Sequence, residues 1–318
     1  MNKIPLETTL AGAYRFLFTR ILSIVGTLWM PFLVSVVLLA GIVWLVVPHA
    51  WLMGNFPQFG DNPTFQEIWE LCRPVVMGIP LIVVLSLVMG AMMLVGLMRL
   101  SLGQRKRCYF FFSLGADVWR MVLASILLVV LIILLELVLV GVFFGAMAAA
   151  KAFLPHNAVV LTLVVLGIVE VCFYIYAIVR WPFFLPAVVV AEKKIGLGRS
   201  WQLGGGNFWR IVVVYLLIFI PVAIVAGVVW QMTVMPVFIS EAMRMPDKPA
   251  PADFVVLLQA LLPLLPVILG LSLLQKLATM GLMAGAIGTA YNALNPPAAP
   301  AAAELAVSAG PEEEQASA

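Results

Sequence analysis

Ten consecutive residues, Ile126 to Leu135, are leucine, isoleucine or valine without exception. A membrane β-barrel needs short segments that alternate between apolar and polar faces, so this run excludes one. A helix carrying it is apolar all round and must be enclosed by lipid or by protein. The run lies within a longer apolar stretch, 121–147, and comparable stretches cover 22–47, 74–98, 159–178, 211–230 and 267–291. Each is near the roughly 20 residues that a helix needs to cross a bilayer. Charged residues are only 10% of the chain, too few to cover the surface of a soluble domain of this length. The expected fold is an all-α integral membrane protein: six transmembrane helices within 1–294, then a tail at 295–318.

Charge sets the expected orientation, because cytoplasmic loops collect Lys and Arg. Lys3, Arg15 and Arg20 precede the first span. Arg99, Arg105, Lys106, Arg107 and Arg120 surround the second connection, and Arg180, Lys193, Lys194, Arg199 and Arg210 the fourth. These are 13 of the 18 basic residues. The remaining connections hold Arg73, Lys151, Arg244 and Lys248, diluted by acidic residues. Both termini are therefore expected in the cytoplasm and the protein in a bacterial inner membrane. The N-terminal apolar run is too long for a cleavable signal and reads as a retained anchor. A net charge of +3 is not a nucleic-acid signature, and the basic residues near the spans favour membrane lipids as neighbours.

A six-residue pattern recurs at an interval of 90 residues: Gly26-Thr27-Leu28-Trp29-Met30-Pro31, Ala116-Asp117-Val118-Trp119-Arg120-Met121 and Gly206-Asn207-Phe208-Trp209-Arg210-Ile211. Thr, Asp and Asn are good helix N-caps, and tryptophan prefers the headgroup level. The pattern predicts one event three times, in which the chain breaks at the cytoplasmic face, caps a helix and enters the membrane. Six spans then form three parallel helix-hairpin repeats.

The segment Arg180-Trp181-Pro182-Phe183-Phe184-Leu185-Pro186-Ala187-Val188-Val189-Val190-Ala191-Glu192, continuing through Gly198–Leu203 to Gly206–Arg210, resembles the membrane domain of some bacterial glycerophosphoryl diester phosphodiesterases and related six-helix proteins. The resemblance covers about 175–215 and implies a six-helix membrane domain. Those enzymes also carry a soluble domain with histidines and metal-binding carboxylates. This chain has two histidines, His49 and His156, so phosphodiesterase activity is not carried over.

Candidate chemistry is sparse. Glu136, Glu170 and Lys276 fall inside spans, where a lone charge costs about 2.5–3.5 kcal/mol. They form either a buried ion pair joining span six to span three or four, or a polar centre for proton or solute movement. Leu203-Gly204-Gly205-Gly206-Asn207 enters a helix beside Lys193, Lys194, Arg199 and Arg210. Free amides there could hold a lipid headgroup phosphate, although no P-loop Lys-Ser/Thr follows; a flexible helix break is the simpler reading. Cys72, Cys108 and Cys172, and His49 and His156 with Asp61, lack metal-ligand spacing. No nucleophile–base motif is present. No metal, cofactor or enzymatic activity is expected.

Gly141-x-x-x-Gly145 and Gly281-x-x-x-Gly285 permit close helix approach, within the bundle or across a homodimer. Residues 5–22 place Leu6, Leu10, Tyr14, Leu17 and Ile21 on one face, as a short interfacial helix or an extension of span one. Phe65, Ile68, Trp69 and Cys72 suggest a second interfacial helix on the outside. Pro182 and Pro186 should end span four and lay Phe183–Ala191 along the interface, while Pro263 and Pro266 should split span six. The Pro/Ala/Glu tail reads as disordered. The leading expectation is a non-enzymatic scaffold, accessory subunit or lipid-surface-associated membrane domain; the alternative is a small transporter or channel centred on Glu136, Glu170 and Lys276.

Overall fold

A computed structural model of the chain describes residues 3–46, 65–104, 111–153, 155–244 and 260–295. Every described element is a helix. In chain order they are α1 (Leu6–Thr19), α2 (Ile21–Val46), α3 (Phe65–Ser101), α4 (Ala116–Phe153), α5 (His156–Glu192), α6 (Leu197–Gly204), α7 (Phe208–Thr233), α8 (Met235–Ala242), a 3-10 turn at Leu262–Leu264, and α9 (Leu265–Leu294). Six of them, α2, α3, α4, α5, α7 and α9 with its 3-10 turn, have segments long and apolar enough to cross a membrane. The tail from 296 onward, together with His49, Asp61 and Cys108, lies outside the described residues.

The core gathers at one end of the bundle, called here the basic end because Arg20, Arg99, Arg120 and Lys193 lie at or near the helix termini there. It draws on residues 89–100 of α3, 118–124 of α4, 183–190 of α5 and 277–291 of α9. Toward the far end the described helices leave more of their surface uncovered. Leu134, Leu137 and Val138 of α4 are 54%, 63% and 62% exposed. With 38 and 37 residues, α4 and α5 are each about 55 Å long, nearly twice the roughly 30 Å hydrocarbon thickness of a bilayer.

Span four corrects the sequence reading. Helix α5 runs unbroken through Pro182 and Pro186 to Glu192, and Phe183–Ala191 is not an interfacial strip. Phe183, Phe184, Leu185, Ala187, Val188, Val189 and Val190 are at most 1% exposed. A proline removes one helix bond, but neighbouring elements can hold such a helix from outside. Here the Ser200 hydroxyl of α6 donates to the Trp181 carbonyl at 2.6 Å, and Arg180 Nε donates to the Trp201 carbonyl at 3.0 Å.

The outer helix expected at Phe65–Cys72 is also not separate, because α3 continues through Pro74 and Pro80. Span six does break beside Pro263, at the 3-10 turn.

Helix α1 is distinct from α2, with the break at Arg20 (φ −121°, ψ 21°). It lies along the second half of α9, where glycines admit it. A Cβ on Gly285 would sit 2.9 Å from Ala13 Cα, and one on Gly281 2.9 Å from Leu17 Cδ1. Gly281-x-x-x-Gly285 is thus used inside the bundle. By contrast, nothing lies within 4 Å of a Cβ placed on Gly141 or Gly145.

Candidate functional site

The buried polar and charged residues among those described are Thr9, Thr27, Asp117, Ser200 and Asn207. Thr27, Asp117 and Asn207 are the second residue of the three repeat copies. The sequence reading made them N-caps, and the geometry gives each a different task. Thr27 lies inside α2, which begins at Ile21. Its hydroxyl donates to the Ser23 carbonyl at 2.7 Å, and its methyl faces Gly96 so closely that a Cβ there would lie 2.5 Å away.

Asp117 sits in the first turn of α4 and takes two arginines. One carboxylate oxygen accepts from Arg99 at the end of α3, the other from Arg120 at 2.8 Å. Asn207 does precede α7, but no side-chain cap bond forms. Its Oδ1 accepts the Ile4 amide at 2.9 Å instead, while Arg210 donates to the Ile4 carbonyl. Ile4 is fully buried. Local spacing predicts caps, but all three positions are buried: Thr27 bonds back into its own helix, while Asp117 and Asn207 take partners on other elements.

The tryptophans divide in the same way. Trp119 and Trp209 are 54% and 75% exposed, whereas Trp29 is half-buried.

A second polar node forms around Glu192. It accepts from Lys194 at 2.8 Å and Arg199 at 3.3 Å, and from the Tyr291 hydroxyl at 3.2 Å. Arg199 also donates to Asn295 Oδ1 at 2.9 Å, so the end of α5, the start of α6 and the end of α9 are tied together. Beside it, the Arg180 guanidinium lies 3.9 Å from the Trp201 ring centroid and also bonds the Tyr176 hydroxyl.

Of the proposed headgroup contacts, Arg199 and Gly205 share a cleft of about 310 Å³ with Gln202, Asn207 and Asn295. Lys193, Lys194 and Arg210 do not line it. Lys193 takes the left-handed conformation that ends α5 (φ 53°). The glycine run is a turn whose positive φ falls at Gly206 (71°). Two of its amides are already used: Gly205 N–H donates to Gln202 O and Asn207 N–H to Gly204 O. Gly204 is required for packing, since a Cβ there would lie 2.7 Å from Arg180 Cγ.

Glu136, Glu170 and Lys276 are not joined by an ion pair among the described residues. Glu136 and Lys276 are exposed on the outer surface of the bundle. Lys276 Nζ lies 5.4 Å from the Phe32 ring centroid. Glu170 Oε1 is buried and has no hydrogen-bond partner among the described residues. Cys172 is a free, exposed thiol; the side chains of Cys72 and His156 lie outside the described residues. No group of three or more His, Cys, Asp or Glu that could hold a metal occurs among the described residues.

Sequence reasoning missed the Arg99–Asp117–Arg120 set and the clamp on Ile4. The first had a usable signal, an acidic residue set among the basic residues of a single connection. The second joins residues 203 positions apart and had none. Compared with protein-family models, curated proteins and solved structures, the chain matches none.

Proposed function

We propose that this is a multi-pass inner-membrane protein of three parallel helix hairpins, with both termini in the cytoplasm, acting as a non-enzymatic scaffold, accessory subunit or lipid-surface-associated membrane domain. One observation carries the reading: three clusters of polar side chains at the basic end join its helices. Asp117 binds Arg99 and Arg120, Asn207 holds Ile4, and Glu192 gathers Lys194, Arg199 and Tyr291. Such an end is a rigid platform. Packing of α2 on α3, α4 on α5 and α7 on α9 supports the three-hairpin arrangement. The resemblance of 180–210 to the phosphodiesterase membrane domain supports kinship of architecture and carries no phosphodiesterase activity.

The alternative, a transporter or channel, is favoured by Glu170, whose buried oxygen lacks a donor among the described residues. Reconstitution separates the two. A scaffold gives no solute flux across a broad panel and is recovered from native membranes with a partner at fixed stoichiometry. Flux that Glu170→Gln abolishes would establish the transporter. Reporter fusions at the N-terminus and after Leu294 check the orientation, both being expected on the cytoplasmic side.

A further inference from the structure

We propose that the cleft between α1 and the end of α3 binds the phosphate of an anionic glycerophospholipid, with Arg15 and Arg20 as its cationic donors. It is a site distinct from the Arg199–Gly205 cleft. Because it needs a bilayer, it rests on the membrane assignment above.

The cleft measures about 460 Å³, and Arg15, Thr19, Arg20, Ser101, Gly103 and Thr289 supply most of its wall. Among the described residues no carboxylate lines it. The three hydroxyls already donate to backbone: Thr19 to Arg15 O at 2.6 Å, Ser101 to Met98 O at 3.1 Å and Thr289 to Gly285 O at 2.8 Å. Their oxygens shape the wall, and the guanidinium groups set its charge. A planar guanidinium pairs with phosphate oxygens through two parallel N–H bonds, which a point-charge ammonium does not.

The floor is fixed by close helix contact. A Cβ on Gly12 would lie 2.5 Å from Thr289 Oγ1, and one on Gly288 2.7 Å from Ser101 Oγ.

A second feature distinguishes a lipid from free phosphate. Beside the two arginines, where α1 passes into α2, Phe18, Ile21 and Leu22 are 69%, 43% and 71% exposed. Two cations next to an exposed apolar strip match a ligand with an anionic head and acyl chains.

The test uses the purified full chain and three probes, short-chain phosphatidylglycerol, phosphatidylcholine of the same chain length, and inorganic phosphate, titrated by native mass spectrometry. Phosphatidylglycerol should bind best. The R15Q/R20Q double variant should weaken it about 30-fold, taking roughly 1 kcal/mol per cation, and R15K/R20K should recover part of the loss. Equal binding of phosphatidylcholine, or full binding to R15Q/R20Q, overturns the site. Inorganic phosphate binding as tightly as the lipid overturns the lipid assignment.

Should R15Q/R20Q fail to fold, wild-type protein labelled with a photoreactive phosphatidylglycerol decides the matter. Label on peptides spanning 12–22 or 100–103 is expected, and label confined elsewhere refutes the site. Cell fractionation tests membrane residence separately: protein in the membrane fraction that ignores phosphatidylglycerol sinks this site alone.

Discussion

Along α5, residues 183–190 are enclosed on every side, while Val164, Val165, Ile168 and Val169 of the same helix each leave more than half of their surface uncovered. Both stretches are apolar, so hydropathy does not distinguish them. What differs is their surroundings. The basic end supplies glycines that allow contact, the short helices α1 and α6 that fill gaps, and polar side chains aimed at specific partners. The far end supplies long β-branched and leucine-rich surfaces with few such devices. Lipid tails are as apolar as leucine, so burial alone does not drive membrane helices together; packing and interhelical hydrogen bonds do. The two ends show what a bundle looks like with and without those terms.

The largest contrast is expected between Phe184→Ala and Leu134→Ala. The first empties a fully enclosed site and should cost about 3–5 kcal/mol. The second trims an exposed side chain and should stay within about 0.5 kcal/mol. Thermal unfolding in one detergent compares them, and equal losses would abolish the distinction between the ends.

Gly285→Val comes next, because its Cβ would meet backbone of α1 at 2.9 Å. A loss of about 3 kcal/mol is expected, with α1 becoming accessible to protease. Gly141→Ala, where nothing lies within 4 Å, should instead be neutral or gain up to about 1 kcal/mol from helix propensity.

Asp117→Asn should cost about 2 kcal/mol. It removes a nearly buried carboxylate from two arginines, but their side chains are 30% and 38% exposed and solvent screens part of the effect. Restoration of the stability by adding Arg99→Gln would show that the uncompensated guanidinium was the cause.

Among the losses expected at the basic end, the smallest is for Asn207→Ala, about 1–2 kcal/mol for an unmade buried amide bond. It should be read as faster proteolysis at the N-terminus rather than as global unfolding.

Helix number and approximate span positions were legible in the sequence because runs such as Ile126–Leu135 have only one physical reading. The arrangement of the helices was not. In a chain this apolar, lipid-facing and core-facing positions carry the same residue types, so amphipathic stripes lose their meaning. Helix α1 shows this: Leu6, Leu10, Tyr14, Leu17 and Ile21 read as the apolar face of an interfacial helix, yet α1 packs closely on α9 through Gly12, Ala13 and Leu17. Prolines misled in the other direction. Pro182 and Pro186 read as a helix end because tertiary support from Ser200 and Arg180 has no local signature. The three copies of the 90-residue pattern each carry a buried polar residue, and of these only Asn207 stands at an N-cap position, without the expected cap bond. Capping is a local property, and Asp117 and Asn207 are committed to residues on other elements.

The clamp on Ile4 also imposes an order of events during synthesis. The first helix rests on glycines of the last one, and the segment before it, at Ile4, waits for Asn207 and Arg210. At roughly 5–20 residues per second, some 15–60 s pass before those glycines leave the ribosome. Throughout that interval helix α1 lacks its seat on those glycines, and an assembly factor or a chaperone that sheltered it would find its target only on unfinished chains.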